Sequence, residues 1–281
     1  MITAISPPHP GPATDPLDFS LADRLPARAA GHGRLLIGAA PQDRGPGLLF
    51  VPGAYHGAWC YAHYLDYFAR AGLACAALDM RGHGALPQDA SFSSVTIADL
   101  GEDVASAIDA LEGPTVVVGH SMGALPALLA ACHRPVAGVV LMAPSPPGDL
   151  PGALALPPVP GGTPRLPPSA TEIRARFLAT TPDRDVRAVA RRLCAESPQV
   201  LNDRYLLRVA VAAASVTAPG LCLEAGLDTH DRHPPGQDQA IARRYGFSHA
   251  VLAGQPHCMM YADDWQISAA AILDWHRGRF G

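Results

Sequence analysis

From Asp18 onward the chain repeats short apolar runs bounded by Gly and Pro: Arg34 to Ala39, Gly47 to Val51, Ala74 to Leu78, Thr115 to Val118, Gly138 to Met142, Gly220 to Glu224 and His249 to Leu252. Several are apolar at consecutive positions, a pattern that predicts strands buried on both faces of a parallel sheet. Between them lie helix-length segments, among them Tyr61 to Ala71, Ile97 to Leu111, Gly123 to Cys132 and Asp264 to Arg277. Strand and helix in alternation predict an α/β architecture with helices on both faces of a mostly parallel sheet.

One stretch breaks that rhythm. Between Met142 and Gly220 lie about seventy residues without a strand signal, opening with the Pro/Gly/Leu-rich run Ala143 to Pro168. Two helical patterns follow, Thr171 to Glu196, with a break at Thr181-Pro182, and Pro198 to Ser215. The expectation is a cap over one end of the sheet at 143–216, inserted into a core made of 18–142 and 217–281. Five prolines within the first 16 residues predict an extended arm over 1–17 that carries no chemistry.

With 48% hydrophobic and 16% charged residues, 281 residues suit one large globular domain. All 21 basic residues are arginines, so Schiff-base, Ser-Lys and P-loop chemistry are excluded with the missing lysine. A net charge of −4 argues against nucleic acid and anionic membrane as partners. Cysteines 60, 75, 132, 194, 222 and 258 form no CxxC pair and are expected as reduced, buried thiols. The opening residues lack a basic segment followed by an apolar one, and no apolar run reaches bilayer-spanning length, so a cytoplasmic protein without membrane attachment is expected.

The sharpest chemical signal is Gly119-His120-Ser121-Met122-Gly123, placed between a β-rich run and a helical segment. A strand turning abruptly into a helix strains the residue at the bend, and flanking glycines let backbone approach without a Cβ clash. Ser121 is the candidate nucleophile, and the Met122 amide, at a helix N-terminus, can face a developing oxyanion. Pro126 is an oddity, expected to kink that helix. A serine needs a base, and of twelve histidines His257 fits best, in the turn Gly254-Gln-Pro-His257 after the last strand. His120 is expected to point the other way across the turn, and His133 has a helix-capping role available.

The acid that orients His257 is assigned to Asp228, which follows the strand at 220–224 through Ala225-Gly226-Leu227, with Asp231 and Asp149 as rivals. The order Ser, Asp, His is the one this strand-turn-helix architecture uses. A second oxyanion donor is expected from the amide of Ala54, after the strand ending at Val51 and Gly53. Asp228, His230, Asp231 and His233 crowd together and imitate a metal site, but without separated ligand pairs they read better as a polar loop around an acid; no metal and no cofactor are expected. Cys60 and Cys258 are assigned to packing.

Taken together, Gly119-His-Ser-Met-Gly123, Asp79-Met-Arg-Gly-His-Gly84, Ala225-Gly226-Leu227-Asp228 and Gly254-Gln-Pro-His257 resemble the blocks of the α/β-hydrolase superfamily, in its order, from about Asp18 to the C-terminus apart from the cap. The segment Gly53-Ala54-Tyr55-His56-Gly57-Ala58-Trp59 is similar to the loop of the plant methyl esterase and hydroxynitrile lyase group, departing from it at Pro52, where that group usually has histidine. The resemblance implies the α/β-hydrolase fold with a helical cap after the sixth strand, and structural roles for Asp79 and Arg81. The function expected is a cofactor-free serine hydrolase of an ester, lactone or thioester of a small, partly apolar molecule. A lyase or cyclase using His257 as general base, and a binding module that lost turnover, are the alternatives. Oligomeric state is open.

Overall fold

The computed structural model describes residues 15–39 and 45–281. Eight strands form one sheet: β1 (Ala27–Ala30), β2 (Gly33–Ala39), β3 (Gly47–Val51), β4 (Cys75–Asp79), β5 (Thr115–His120), β6 (Gly138–Met142), β7 (Gly220–Ala225) and β8 (Ser248–Leu252), in the order β1-β2-β4-β3-β5-β6-β7-β8. The first two are antiparallel to their neighbours and the rest run parallel. The seven expected strands are present; β1 is an addition. Its only buried residue is Ala30, so it carries no apolar run to read.

Strand periodicity explains the layering. On β3, Leu48 and Phe50 pack with Tyr64, Leu65 and Phe68 of α1 (Ala62–Arg70) and with Ala269, Ile272 and Leu273 of α8 (Gln266–Phe280). Leu49 and Val51 face the other way, onto Leu100 and Val104 of α2 (Ile97–Ala110) and Leu125 and Ala127 of α3 (Ala124–His133). Farther along that face, Val139, Leu141 and Cys222 meet Ile241 and Tyr245 of α7 (Gln237–Tyr245), a helix the apolar pattern did not announce. Central strands carry apolar side chains on both faces because both faces are covered.

Pro126 is the third residue of α3, where the first-turn amides have no i−4 carbonyl to serve, so it costs the helix no hydrogen bond. The 3-10 turn Ser121–Gly123 comes before α3, which places the proline earlier in the helix than the sequence pattern suggested.

The stretch between β6 and β7 holds no strand, only an isolated bridge between Arg165 and Glu196. The long helix expected from Thr171 is instead one turn of α4 (Ala170–Glu172), a π-helical turn Ile173–Leu178 and α5 (Arg187–Ala190). The left-handed Ala179, at φ 45°, ends the π turn just before Thr181-Pro182. The second helix, α6 (Pro198–Tyr205), is capped by the Ser197 side chain and begins with proline, but stops well short of Ser215. The Pro-rich arm lies outside the described residues except for its last three; there the Pro16 carbonyl accepts from His63 at 3.0 Å and Leu17 is buried. Among the described residues no helix is long and apolar enough to cross a membrane.

Candidate active site

Three loops at the carboxyl ends of β5, β7 and β8 bring Ser121, Asp228 and His257 together. His257 Nδ1 donates to Asp228 Oδ2 at 2.6 Å, and His257 Nε2 stands 2.9 Å from Ser121 Oγ. Asp231 is not in this chain of contacts: it is 69% exposed and lies 3.5 Å from Arg176. Asp149 is engaged elsewhere, by Arg244 and by the Val211 amide at 3.1 Å.

Local sterics hold the serine in place. Ser121 has φ 52°, in the left-handed region that a non-glycine residue enters only under constraint. A Cβ on Gly119 would lie 2.8 Å from the Ala124 Cα, and one on Gly123 would collide with the Pro52 carbonyl oxygen. Gly119 is therefore required by the turn itself, and Gly123 by the close approach of the loop after β3. The Ser145 amide fixes the Ser121 carbonyl at 2.9 Å.

The loop after β3 is pinned on both sides of Ala54. The Gly53 carbonyl accepts from the His56 amide at 3.2 Å, so the amide of Ala54, on the opposite edge of the same trans peptide, points the other way. In the next peptide the Ala54 carbonyl accepts from His56 Nδ1 at 2.8 Å, while the Tyr55 amide donates to Glu196 Oε2 at 3.0 Å. Among the described residues the Ala54 amide has no acceptor. Met122 sits in the first turn after the bend, ahead of the first intrahelical donor. Ala54, Met122, Ser121 and His257 line one cavity of about 500 Å³, walled on its other side by residues between 156 and 205.

Several residues that hold this site were given no role from the sequence: Glu196 lies outside every motif, and His56 and His83 stand inside quoted blocks without an assigned part. Glu196 is fully buried and accepts from the Tyr55 amide, from His83 Nε2 at 3.0 Å and from the Ser197 amide at 2.9 Å. His83 also donates through Nδ1 to the Arg81 carbonyl at 2.9 Å. Burial alone would lower the His83 pKa, but the Glu196 charge and hydrogen bond outweigh it and raise the value above the ordinary one. His56 is the opposite case: with no carboxylate bonded to it, burial takes it down to about 4, and its neutral ring bridges the Ala54 carbonyl and the Tyr261 hydroxyl at 2.8 Å.

His120 departs from expectation. Its ring lies beside that of His257, with centroids 4.9 Å apart, and its Nε2 donates to the His257 carbonyl at 2.9 Å. Burial holds its pKa well below the ordinary value, so it is a neutral anchor for the His257 loop. His133 falls in the last turn of α3, where the capping role was available to it.

Asp79 and Arg81 are tied into the scaffold, Asp79 to Arg34 at 2.8 Å and to the Ala58 amide at 2.6 Å, Arg81 to Asp103 at 2.7 Å. Cys60 and Cys258 are buried with pKa raised by burial; Cys75 and Cys222 are buried too, whereas Cys132 and Cys194 are only half-buried.

Burial would raise the Asp228 pKa, yet His257 by charge and hydrogen bond, His233 by charge and the Thr229 amide outweigh it and bring the value to about 2. Asp228, His233 and His257 offer ligand atoms within 4.8 Å of one another. Both ring nitrogens of His257 are engaged, one by Asp228 and one by Ser121, so the set is better matched to a proton relay than to a cation. The arrangement can move a proton from the serine hydroxyl to the imidazole and stabilise the imidazolium, and Ala54 and Met122 line the same cavity.

Comparison with known proteins agrees with this architecture. A family model described as "Alpha/beta hydrolase family" matches residues 48–271. The rice protein "Probable esterase PIR7A" (Oryza sativa subsp. indica) is 35% identical over 109 residues, covering 36% of this chain and 40% of the rice protein. The match thus spans well under two thirds of that relative. A methylesterase from Arabidopsis has a similar structure, with a TM-score of 0.65 at 17% identity over 82% of this chain and 98% of that one. An N-acyl homoserine lactone degrading enzyme has a TM-score of 0.63 at 16% identity, over 89% and 99% of the two chains. At such identities the likeness concerns the fold.

Proposed function

The chain belongs to the alpha/beta hydrolase family, and from that premise we propose that it is a cofactor-free serine hydrolase that cleaves an ester, lactone or thioester through an acyl-enzyme. The observation that carries the reading is the unbroken line Asp228–His257–Ser121, at 2.6 and 2.9 Å, assembled from three separate loops. Ser121 Oγ attacks the carbonyl carbon as His257 Nε2 takes its proton. Asp228 holds Nδ1–H and the tautomer this requires, and the Ala54 and Met122 amides receive the oxyanion. When the tetrahedral adduct collapses, His257 returns the proton to the leaving oxygen or sulfur. Water, deprotonated by the same ring, then releases the acyl group.

In this reading 143–216 is the cap and supplies the substrate-facing wall, with Leu156, Pro157, Val159 and Phe177 supporting a partly apolar substrate. Labelling with a fluorophosphonate tests the mechanism. One adduct is expected on Ser121, abolished in Ser121→Ala and strongly slowed in His257→Ala. Intact mass without an adduct, alongside undiminished turnover, would replace the acyl-enzyme with a reaction in which His257 acts as general base alone.

A further inference from the structure

The hydrolase reading leaves the substrate's charge open, and the cavity's own charges bear on it. Arg165, Arg176, Arg204 and Arg232 line the space that opens onto Ser121, together with two carboxylates, Glu172 and Asp231. Both carboxylates have partners: Glu172 accepts from the Ser169 amide and hydroxyl at 2.8 Å, and Asp231 lies 3.5 Å from Arg176. Among the described residues, Arg204 and Arg232 have no carboxylate oxygen within 4.0 Å.

Arg204 is the unusual one. It is only 5% exposed, and among the described residues its side chain makes a single hydrogen bond, a long contact of 3.4 Å to the Leu154 carbonyl. Burial brings its pKa down to about 10, opposed only by the neighbouring Tyr205, so the guanidinium stays charged at neutral pH. Arg232 crosses the Tyr205 ring at 5.2 Å and donates to its hydroxyl at 2.8 Å, and among the described residues its buried Nε has no partner. A buried cation with no counter-ion is costly unless something supplies the charge. Arg204 stands in the last turn of α6, but the dipole of an eight-residue helix is a weak, partial compensation beside the desolvation of a guanidinium. A planar fork of N–H donors matches a carboxylate, and a carboxylate bound there would be paired and desolvated together with it.

We propose that Arg204, assisted by Arg232 and the Tyr205 hydroxyl, binds a carboxylate carried by the substrate at a distance from its scissile carbonyl. The substrate is then a monoanionic ester, lactone or thioester with an apolar body between its two polar ends. This class rests on the hydrolase reading and narrows its uncommitted "partly apolar" substrate; the site itself does not depend on turnover.

The test compares two esters of equal chain length, mono-p-nitrophenyl glutarate and p-nitrophenyl pentanoate. The expected result is a kcat/KM ratio favouring the carboxylated ester by at least about tenfold, falling by at least about tenfold in Arg204→Met, mainly through KM. A wild-type ratio near one, or a ratio that Arg204→Met leaves unchanged, would overturn the proposal. Should Arg204→Met not fold, the wild-type ratio and that of Arg232→Met decide. Calorimetric titration with hexanoate and hexanamide separates the two levels of the argument. Hexanoate binding that is stronger than hexanamide binding and lost in Arg204→Met, in a protein that turns over neither ester, would keep the site and remove the hydrolase. Turnover of both esters without charge preference, and no hexanoate binding, would keep the hydrolase and remove the site.

Discussion

The turn after β5 and the stretch between β6 and β7 face each other across the same cavity, yet they are built on opposite principles. At the turn, each residue is dictated by backbone packed directly against it: glycine at 119 because a Cβ would strike the start of α3, glycine at 123 because it would strike the Pro52 carbonyl, and Ser121 at φ 52° because strand and helix meet there. Across the cavity, the 143–219 segment has one isolated bridge, a π turn and apolar side chains left in water, such as Leu166 at 76% exposure. Contacts with other segments hold its form: the Cys194 amide donates to the Tyr55 carbonyl at 3.0 Å, Glu196 holds the Tyr55 amide, Asp203 accepts from the Ile97 amide at 3.1 Å, and the Phe177 carbonyl accepts from Cys258 at 2.8 Å. Two of these ties end on the Tyr55 loop and one on the loop of His257. The lesson is that the irregular segment is also the buttress of the loops to which the proposed chemistry is assigned.

The comparison breaks most visibly at the turn. Ser121→Ala and His257→Ala should each lower kcat by about three orders of magnitude or more, measured by ester hydrolysis under saturation. Ser121→Ala should leave the thermal midpoint close to wild type. His257→Ala should lower it, because the Asp228 carboxylate then loses its 2.6 Å partner. A His257→Ala enzyme with near-normal turnover would move the base elsewhere.

Next comes the acid. Asp228→Asn should cost about two to four orders of magnitude in kcat with little change in KM, since what is lost is the hold on the imidazolium and its tautomer. Asp231→Asn, which alters an exposed carboxylate 3.5 Å from Arg176, should stay within about a factor of three. Equal losses in the two variants would defeat the assignment.

Glu196 tests the buttress. Glu196→Gln removes the charge that stabilises the His83 cation and gives the Tyr55 amide a weaker acceptor. We expect about 1–3 kcal/mol lost by urea unfolding, together with a fall in kcat of about tenfold through the displaced Ala54 amide. The pH dependence follows from the raised His83 pKa: the pair contributes stability below the unfolded histidine value and loses it as pH rises through the folded value. Glu196→Gln should therefore flatten that decline with rising pH. An unaltered decline, or unaltered kcat, would detach Glu196 from the loop.

At the acid end the sign reverses. Asp228 is depressed from 3.8 to about 2 in the folded protein, so it adds stability above pH 4 that disappears as pH falls toward 2. The effect is about 2 kcal/mol, visible as the difference between wild-type and Asp228→Asn unfolding curves at pH 6 and at pH 2.5. The smallest expected effect belongs to the surface of the irregular segment. Leu166→Ser should change stability by less than about 0.5 kcal/mol, while raising KM for esters with longer acyl chains, because the side chain lines the cavity without packing into a core.

How much of this was legible along the chain depended on the range of the cause. The strands and the start of the turn at 119–123 follow from neighbours within a few residues, through apolar runs that need two covered faces and a Gly119 that needs close backbone, whereas Gly123 answers to the distant Pro52 carbonyl. Asp228 and His257 were legible because each directly follows a strand, and parallel strands gather their carboxyl-end loops at one edge. The π turn at Ile173–Leu178, the early end of α6 and the helix α7 were not, since the residues there suit several conformations and tertiary contacts choose among them. Nor was the placement of His120, whose orientation depends on a carbonyl 137 residues away.

The amino-acid order by itself determined the layered α/β sheet, the serine at the bend after β5 and the loops on which Asp228 and His257 stand, because these rest on periodicity, on flanking glycines and on position after a strand. Only the tertiary structure decided which peptide of the Ala54 loop is pinned, that Glu196 and His83 form a buried pair, and that Arg204 is enclosed with no counter-ion among the described residues. Those outcomes join residues tens to more than a hundred positions apart, and burial, which sets the cost of each charge, exists only once the distant segments have met.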